Sequence, residues 1–384
     1  MAKELAVSVQ RKQRHALADL AKLFLKLGII GFGGPAVHIA MMQDEVVRKR
    51  RWMTDDHFLD LVGATNLIPG PNSTEMTMHI GRERAGWKGL VVAGSCFIVP
   101  AVLITALLAW LYKQYGELPQ VQPFVYGIKP AIIAIVISLM VALGRKALKS
   151  IELGVLGVLA AAAVLAGFNE IYVLFGSGLA GMLLYYLRLS NKTANGFIPV
   201  VLLQIIAQPA YLSNMQIFLV FLKIGSILYG SGYVLFAFLD AELVTSGILS
   251  RQQLVDAIAV GQVTPGPVFS SATFIGWQVG GVEAAILATV GIFLPSFLFV
   301  ALLNPLVARL RKQKIMSAFL DSVNMASVAI ILAVVVEMGR EALFDWRTTV
   351  IAIVSFFVSF YFRKLNTAFV VLGGAGLGYA LSLL

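Results

Sequence analysis

Long stretches of this chain carry no charged side chain. Residues 89–112, 284–308 and 365–384 contain no Asp, Glu, Lys or Arg. Each stretch is close to the ~20 apolar residues that a helix needs to cross a lipid bilayer. Only 13% of all residues are charged, whereas a soluble domain has about 25%. The chain is therefore predicted to be an all-α, polytopic membrane protein.

Several short motifs occur twice, in the same order. FLKLG at 24–28 returns as FLKIG at 221–225 (223 − 26 = 197), and IPGP at 68–71 returns as TPGP at 264–267 (265 − 69 = 196). Pro100 returns as Pro295, and GRKAL at 144–148 returns as GREAL at 339–343, both with an offset of 195. Internal repeats are common in transporters. The sequence thus predicts two repeats, residues 1–195 and 196–384.

Basic residues indicate that the second repeat is inverted relative to the first. The net charge is +10, and the basic runs lie between apolar segments without interleaved aromatic residues. This pattern fits the positive-inside rule better than nucleic-acid binding. Basic runs at 48–51, 82–88, 145–149, 309–314 and 363–364 are all expected in the cytoplasm. The N-terminus is then cytoplasmic and the C-terminus outside, with residues 193–222 supplying the crossing between halves of an inner-membrane protein.

Each repeat is predicted to begin with broken, re-entrant hairpins. The first segments between basic runs must enter and leave on one side, and they are interrupted by GFGGP at 31–35 and PGP at 69–71. Irregular backbone at membrane depth is tolerated only inside the protein or along a cavity. Four crossings should follow each pair of hairpins: 89–112, 123–144, 152–168 and 170–187, then 282–305, 318–338, 347–363 and 365–384.

Two helices that restart after Pro-Gly-Pro form the best candidate substrate site. Proline and glycine end the preceding helix, so the next begins with free N–H groups that bind anions well. Two such ends, related by an inverted repeat, would meet near the midplane. Ordinary capping of a bent helix is the alternative. The candidate substrate-binding residues are Pro69, Gly70, Pro71, Asn72, Ser73, Thr74, Thr264, Pro265, Gly266, Pro267, Ser270 and Ser271.

Lys26 and Lys223 are further candidates, because they occupy the same place in the two copies of the motif. A lysine in the hydrocarbon region is costly and indicates function, and a pair of lysines suits a dianion. Snorkelling of the side chain to the interface is the alternative. Gly33 and Gly230 lie in the glycine clusters that follow, where backbone can approach a ligand; helix packing explains them equally well.

Glu75 and His79, with His38, are candidates for proton coupling. Glu75 and His79 lie four residues apart on one predicted half-helix, and intramembrane carboxylates and imidazoles can relay protons. Structural pairing with nearby arginines is the alternative. No third metal ligand accompanies them, and Cys96 is the single cysteine. We therefore expect no metal site, no cofactor and no intramolecular disulfide.

Taken together, these motifs resemble the chromate ion transporter family over nearly the whole chain. The resemblance rests on GFGGPAVH at 31–38, RW at 51–52, NLIPGPNSTE at 66–75, HIG and RAGW within 79–87, and GQVTPGPVF at 261–269. It implies chromate efflux driven by the proton-motive force, which confers chromate resistance. Ser270 and Ser271 stand where the family more often has Thr-Thr, and they keep the hydroxyls.

Other functions remain open at this point. Sulfate is a near-isostere of chromate, so a sulfate or other oxyanion carrier is the first alternative. An enzyme acting on a lipid phosphate would need a nucleophile and base, which only Ser73 near His79 could supply. A structural membrane subunit is disfavoured by the paired lysines. The expected partners are the oxyanion and the bilayer, without nucleic acid, and the pattern leaves a homodimer open.

Overall fold

The computed structural model describes residues 2–116, 118–189, 213–229, 234–310, 313–362 and 365–383. Within these ranges the chain forms fourteen α-helices and no strand, which confirms the all-α, polytopic prediction. Gly230, the proposed junction at 195–196 and most of the connecting segment 193–222 lie outside the described residues. Residues 311–312 of the basic run at 309–314 and the whole run at 363–364 lie outside them too.

The helices of the first half correspond one to one with those of the second. The first seven are α1 (Ala2–Ile30), α2 (Pro35–Gln43), α3 (Asp55–Thr65), α4 (Asn72–Tyr115), α5 (Gln122–Ala147), α6 (Ile151–Leu165) and α7 (Glu170–Leu189). The next seven are α8 (Asn214–Ile227), α9 (Val234–Leu239), α10 (Arg251–Val263), α11 (Ser271–Leu310), α12 (Lys314–Ala342), α13 (Trp346–Tyr361) and α14 (Thr367–Ser382). The π-helical turns Asp44–Lys49 and Asp240–Val244 continue α2 and α9.

Five of the described segments are long and apolar enough to cross a bilayer: Asn72–Tyr115, Gln122–Ala147, Glu170–Leu187, Val268–Leu302 and Lys314–Arg340. The remaining predicted crossings fall on shorter apolar helices, α6 with 15 residues and α13 and α14 with 16 each. The eight crossings predicted within the repeats therefore coincide with helices, whereas most of the joining crossing at 193–222 lies outside the described residues.

The two longest helices double back on themselves. In α4 the backbone leaves helical geometry at Ala85 and Gly86, and Gly86 has φ 62° and ψ −147°. In α11 the same break falls on Gly280 and Gly281, with φ 74° and ψ −155° at Gly281. Only glycine adopts this conformation readily. We call residues 72–84 and 271–279 the first and second arms, and 87–115 and 282–310 the first and second spans.

Each arm runs antiparallel to its own span, in close contact with it. A Cβ built on Gly81 would lie only 2.3 Å from the carbonyl oxygen of Gly89. In the second half, Oγ1 of Thr273 lies 2.7 Å from Oγ1 of Thr289. Pairs at equal distances on either side of the break are in contact, as in an antiparallel hairpin. The breaks predicted at 31–35 and 69–71 separate α1 from α2 and α3 from α4, whereas the reversals at Gly86 and Gly281 were not predicted.

The two spans also run antiparallel to each other. The second arm lies beside the first span and runs in the same direction, because Ser270 contacts Thr105 (Oγ to Oγ1, 3.1 Å) and Gln278 donates to the carbonyl of Ala109 (3.2 Å). Since each arm is antiparallel to its own span, the equivalent spans point in opposite directions. An axis in the membrane plane relates inverted repeats in this way.

The repeats interlock around this axis. α5 packs against α13 and α14 of the second half, and α12 packs against α6 and α7 of the first. The approach is close, since a Cβ on Gly127 would lie 2.1 Å from the carbonyl oxygen of Gly374. The glycines of the two FLK motifs have a similar role: a Cβ on Gly28 would lie 2.7 Å from Phe97 O, and one on Gly225 would lie 2.4 Å from Ile292 O. These glycines therefore serve helix packing.

Arg82 ties the first arm to the second span. Its Nη1 donates to the carbonyl oxygens of Val300 (2.6 Å) and Ala301 (2.5 Å). Pro305 has no N–H, so the carbonyl four residues earlier in the helix, that of Ala301, lacks its usual donor. The guanidinium replaces that donor. Arg82 is thus used structurally.

Candidate functional site

The two Pro-Gly-Pro loops exchange hydrogen bonds between the repeats. The amide of Gly70 donates to the carbonyl oxygen of Leu228 (2.8 Å), and the amide of Gly266 donates to that of Gly31 (2.7 Å). Gly31 and Leu228 are equivalent positions (228 − 31 = 197), so each loop binds the glycine-rich segment of the opposite half. Both glycines have positive φ, 134° and 89°, which favours glycine. The exchange brings both loops into one buried region.

His38 joins the first arm to the second loop. Its Nε2 lies 2.8 Å from the carbonyl oxygen of Gly31, which also accepts from Gly266, and its Nδ1 lies 3.3 Å from Oγ of Ser73. Because a carbonyl only accepts, Nε2 carries the proton and Nδ1 accepts from the serine hydroxyl. The imidazole is 2% exposed. Ser73 therefore contacts His38, and the sequence-based pairing of Ser73 with His79 is not what the structure shows.

Buried polar atoms without a hydrogen-bond partner lie on the first arm and on both sides of the second Pro-Gly-Pro loop. On the first arm they are Oγ1 of Thr74, Oε2 of Glu75 and both ring nitrogens of His79; on the second half they are Nε2 of Gln262 and Oγ of Ser271. All five side chains are buried, with at most 5% exposure. Buried polar groups are nearly always bonded, so such a concentration indicates a place for a ligand or water.

The backbone at the first helix start adds donors. The amides of Thr74 and Glu75 bond to the carbonyl of Pro71. α4 begins there without a side-chain cap, so the amides of Asn72 and Ser73 have no acceptor within the helix. Asn72 uses its side-chain nitrogen on Oδ1 of Asn66 (2.7 Å). The prolines of both loops are buried, namely Pro69, Pro71, Pro265 and Pro267.

Protein groups fill the space beside both central glycines. A Cβ on Gly70 would lie 2.4 Å from Oε1 of Glu75 and from Oγ of Ser296, and a Cβ on Gly266 would lie 2.9 Å from Cβ of Ala101. The assignment of these glycines as substrate-binding residues thus stays a prediction. Their observed contacts serve the junction between the repeats.

A hydroxyl cluster surrounds the second loop. Oγ1 of Thr105 lies 3.1 Å from Oγ of Ser270 and 3.5 Å from Oγ1 of Thr264, and Thr264 donates to the carbonyl of Val260 (2.7 Å). Thr264 and Ser270 were both expected at the site, whereas Thr105 was not. Thr105 comes from the first span, so both repeats contribute to this cluster.

Each of the two predicted lysines is paired with a glutamate. Nζ of Lys26 is 3.1 Å from Glu45, and Nζ of Lys223 is 2.7 Å from Glu242. The two pairs occupy equivalent positions, and both glutamates lie in π-helical turns, which are frequent at functional sites. The sequence analysis identified both matched lysines, but it did not predict their pairing with Glu45 and Glu242.

Gly33 and Gly230 were also predicted at the site. Gly33 is exposed in the segment between α1 and α2, with φ 107°. Gly230 lies outside the described residues. Lys129 approaches Asp256 at 4.0 Å, and Asp256 accepts from the hydroxyl of Tyr112 (2.6 Å), which gives a buried polar contact between the halves.

Sequence reasoning missed the acceptors and partners that come from distant segments. These are Gly31, Leu228, Thr105, Gln262 and Ser296. Ser296 follows Pro295 and aligns with Ala101, so a difference between the repeats was visible there. No local signal marks the carbonyl oxygens of Gly31 and Leu228, because any residue supplies a carbonyl.

Comparison with known proteins agrees with the motifs. The family model described as chromate transporter matches residues 18–182 and again 215–379. The chain belongs to the chromate transporter family. The two matches are displaced by the offset of the lysine motif (215 − 18 = 197), and the resemblance inferred from the motifs is confirmed.

Three relatives of the chain are themselves named as chromate transport proteins. A probable chromate transport protein of Synechococcus elongatus is 30% identical over 359 residues, 91% of each chain. The chromate transport protein of Cupriavidus metallidurans is 30% identical over 387 residues, 97% of this chain and 95% of the relative. That of Pseudomonas aeruginosa is 28% identical over 335 residues, 83% and 80%. No solved structure matches.

Proposed function

We propose that this protein exports chromate across the cytoplasmic membrane, driven by the proton-motive force, and so confers chromate resistance. Two relatives that align over more than nine-tenths of this chain are named for chromate transport. One observation carries the assignment of the site: unbonded buried polar atoms gather at two helix starts that the repeats hold together.

The oxyanion would bind between these two helix starts. A tetrahedral dianion has four oxygens to satisfy, and water is scarce at membrane depth. The amides of Asn72 and Ser73, which have no acceptor within the helix, and the unbonded hydroxyls of Thr74 and Ser271 are donors without net charge. Neutral donors can bind the anion without holding it too strongly for release, which suits a carrier.

Proton coupling would use His38, Glu75 and His79, all from the first half. Glu75 and His79 lie one turn apart on the first arm and are fully buried. Arg82, in the basic run at 82–88, lies one turn beyond His79. With the N-terminus in the cytoplasm, this column would connect the loop to the cytoplasmic surface.

Sulfate is the alternative substrate, because it shares the tetrahedral shape and charge of chromate. Hydrogen-bond donors at helix starts recognise these two shared features. The donor set alone therefore does not separate the two anions.

Flux measurements on the full chain in proteoliposomes test the proposal. Chromate and sulfate uptake would be compared with and without an imposed membrane voltage and pH gradient, with protein-free liposomes as the control. We expect chromate flux above the control and a response to the imposed gradients. Flux no greater than in protein-free liposomes would refute transport, and flux of sulfate alone would reassign the substrate.

A further inference from the structure

The two Pro-Gly-Pro helix starts differ in one chemical respect. The first carries a carboxyl group, Glu75, whereas the corresponding stretch of the second carries Ser270 and Ser271. The partner differs too: Oε1 of Glu75 lies 3.3 Å from Oγ of Ser296, and the equivalent of Ser296 in the first span is Ala101 (296 − 101 = 195). The carboxyl and its hydroxyl partner therefore occur together beside the first loop. The second loop has neither.

Glu75 has no charge partner in the described part of the chain. Its side chain is 0% exposed, and Oε2 has no hydrogen-bond partner. An isolated carboxylate is very costly to bury, so a group in this position is stable mainly with a proton bound. A protonated carboxyl has an O–H to donate, which an ionised one lacks.

Among the described residues, no ion pair involves Glu75, and several charged groups on other elements are bound elsewhere. Tyr229, His38 and His79 are the titratable neighbours on the segment after α8, on α2 and on the first arm. The nearby ionic groups already have partners: Arg82 with backbone carbonyls, Lys26 with Glu45, Lys223 with Glu242, Asp256 with Lys129 and Tyr112, and Glu83 with His57. None of these partners neutralises Glu75.

An oxyanion at the helix starts would lie next to this carboxyl. Oε1 of Glu75 lies over Gly70 of the first loop, and Thr74, with its free hydroxyl, is the preceding residue. An ionised Glu75 would repel a dianion there, whereas a protonated Glu75 could donate one more hydrogen bond to it. Proton binding and anion binding would then favour each other.

We propose that the site takes its oxyanion only with Glu75 protonated, so that one proton and one oxyanion occupy the protein together. This inference rests on the proposed function and deepens it. The proton binds Oε2 before the anion and leaves to water after the anion leaves. A dianion accompanied by one proton carries a net charge of −1. Export is then driven by the inside-negative voltage and opposed by an acidic exterior.

Equilibrium binding to the purified full-length protein tests the linkage, with radiolabelled sulfate and chromate as probes across neutral pH. Sulfate stays a dianion throughout, so its pH dependence reports the protein. We expect wild-type affinity to fall by up to about tenfold per pH unit as pH rises, the slope for one linked proton. Glu75→Gln keeps a neutral donor and should bind with little pH dependence. Glu83→Gln, an exposed position on the same arm, is the matched control with the wild-type slope.

Proton movement gives a second measurement that does not depend on affinity. In proteoliposomes, sulfate entry through the wild type should acidify the lumen, and entry through Glu75→Gln should not. A wild-type slope in Glu75→Gln, affinity that rises with pH, or lumen acidification by Glu75→Gln would each overturn the inference. Absence of any oxyanion binding by the wild type would instead refute the proposed function itself.

Discussion

Two equivalent Lys–Glu pairs differ in how many other charges support them. Glu45 is 3.2 Å from both Lys49 and Arg50 as well as 3.1 Å from Lys26. Among the described residues, Glu242 has Lys223 as its ion-pair partner. The side chains of both glutamates are less than a tenth exposed. The second pair therefore depends on its lysine more than the first.

Replacing each lysine by glutamine allows its contribution to stability to be measured apart from its contribution to transport. Lys223→Gln should lower the free energy of unfolding by about 1–3 kcal/mol, because it leaves a buried charge without its partner. Lys26→Gln should cost less than about 1 kcal/mol, since Lys26 is half-exposed and Glu45 keeps two cations. Thermal unfolding in detergent measures both, and Lys223→Gln/Glu242→Gln should recover stability. An equal loss in the two single variants would contradict this account.

The same variants test whether the lysines bind the dianion. If they do, Lys26→Gln should reduce chromate flux while its stability is nearly unchanged, and the double lysine variant should reduce it further. Wild-type flux in folded Lys26→Gln/Lys223→Gln would show that the lysines serve only their ion pairs.

The free hydroxyl of Ser271 gives a more direct test of the oxyanion site. Ser271→Ala should raise the apparent KM for chromate by roughly two- to tenfold, the effect of one lost hydrogen bond of about 0.5–1.5 kcal/mol. Ser327→Ala is a matched control, because the buried Ser327 hydroxyl donates to the carbonyl of Val323 within α12. Equal KM values in the two variants would place the anion elsewhere.

For individual residues, the sequence predicted which side chains belong to the site but not their hydrogen-bond partners. The hydroxyls, the matched lysines and the buried Glu75 were all visible, because membrane depth makes a polar side chain conspicuous. The contact of Ser73 with His38 was not visible, since it depends on how α2 folds back over the arm. The carbonyl acceptors of Gly31 and Leu228 could not be predicted from residue types, because every residue has a carbonyl.

The helix breaks at Gly86 and Gly281 divide α4 and α11 each into an arm and an antiparallel span. Sequence reasoning located the turns at Pro-Gly-Pro from proline and glycine chemistry, which is local. It placed the start of the first span near residue 89, which agrees with the break, because the basic run at 82–88 separates arm from span. It did not show that the helix resumes directly after a reversal of only two residues, since that depends on how the arm packs against the span.

Two glycine substitutions in the first half should have unequal effects. Gly86→Ala meets no atom within 4 Å but forces an unfavourable backbone conformation, which should cost about 1–3 kcal/mol. Gly81→Ala would put its Cβ 2.3 Å from the carbonyl of Gly89 and 2.6 Å from Cβ of Ala93, so the arm must separate from the span. Thermal unfolding of the two purified variants should therefore rank Gly81→Ala as the less stable, and the reverse order would contradict the tight hairpin.

For the molecule as a whole, the inverted arrangement of the repeats predicts on which side of the membrane each basic run lies. Basic runs at 82–88 and 309–314 should both be cytoplasmic, with the C-terminus outside. Single cysteines placed in each run of a Cys96→Ser background should react with a membrane-impermeant reagent only from the cytoplasmic side. Labelling of the two runs from opposite sides would rule out the inverted arrangement.

The exchanged hydrogen bonds of Gly70 and Gly266 bear on how such a chain can change over evolution. Each half supplies the amide that completes the other, and the small residues Ala101 and Ser296 make room for the partner's loop. A larger residue at position 296 would clash first with Gly70, more than two hundred positions earlier in the chain. After duplication, the halves could therefore diverge at the arms, where Glu75 and His79 have no counterparts, but had to keep these contact points compatible. A substitution on one side of this contact between the halves is therefore selected together with the residues on the other side.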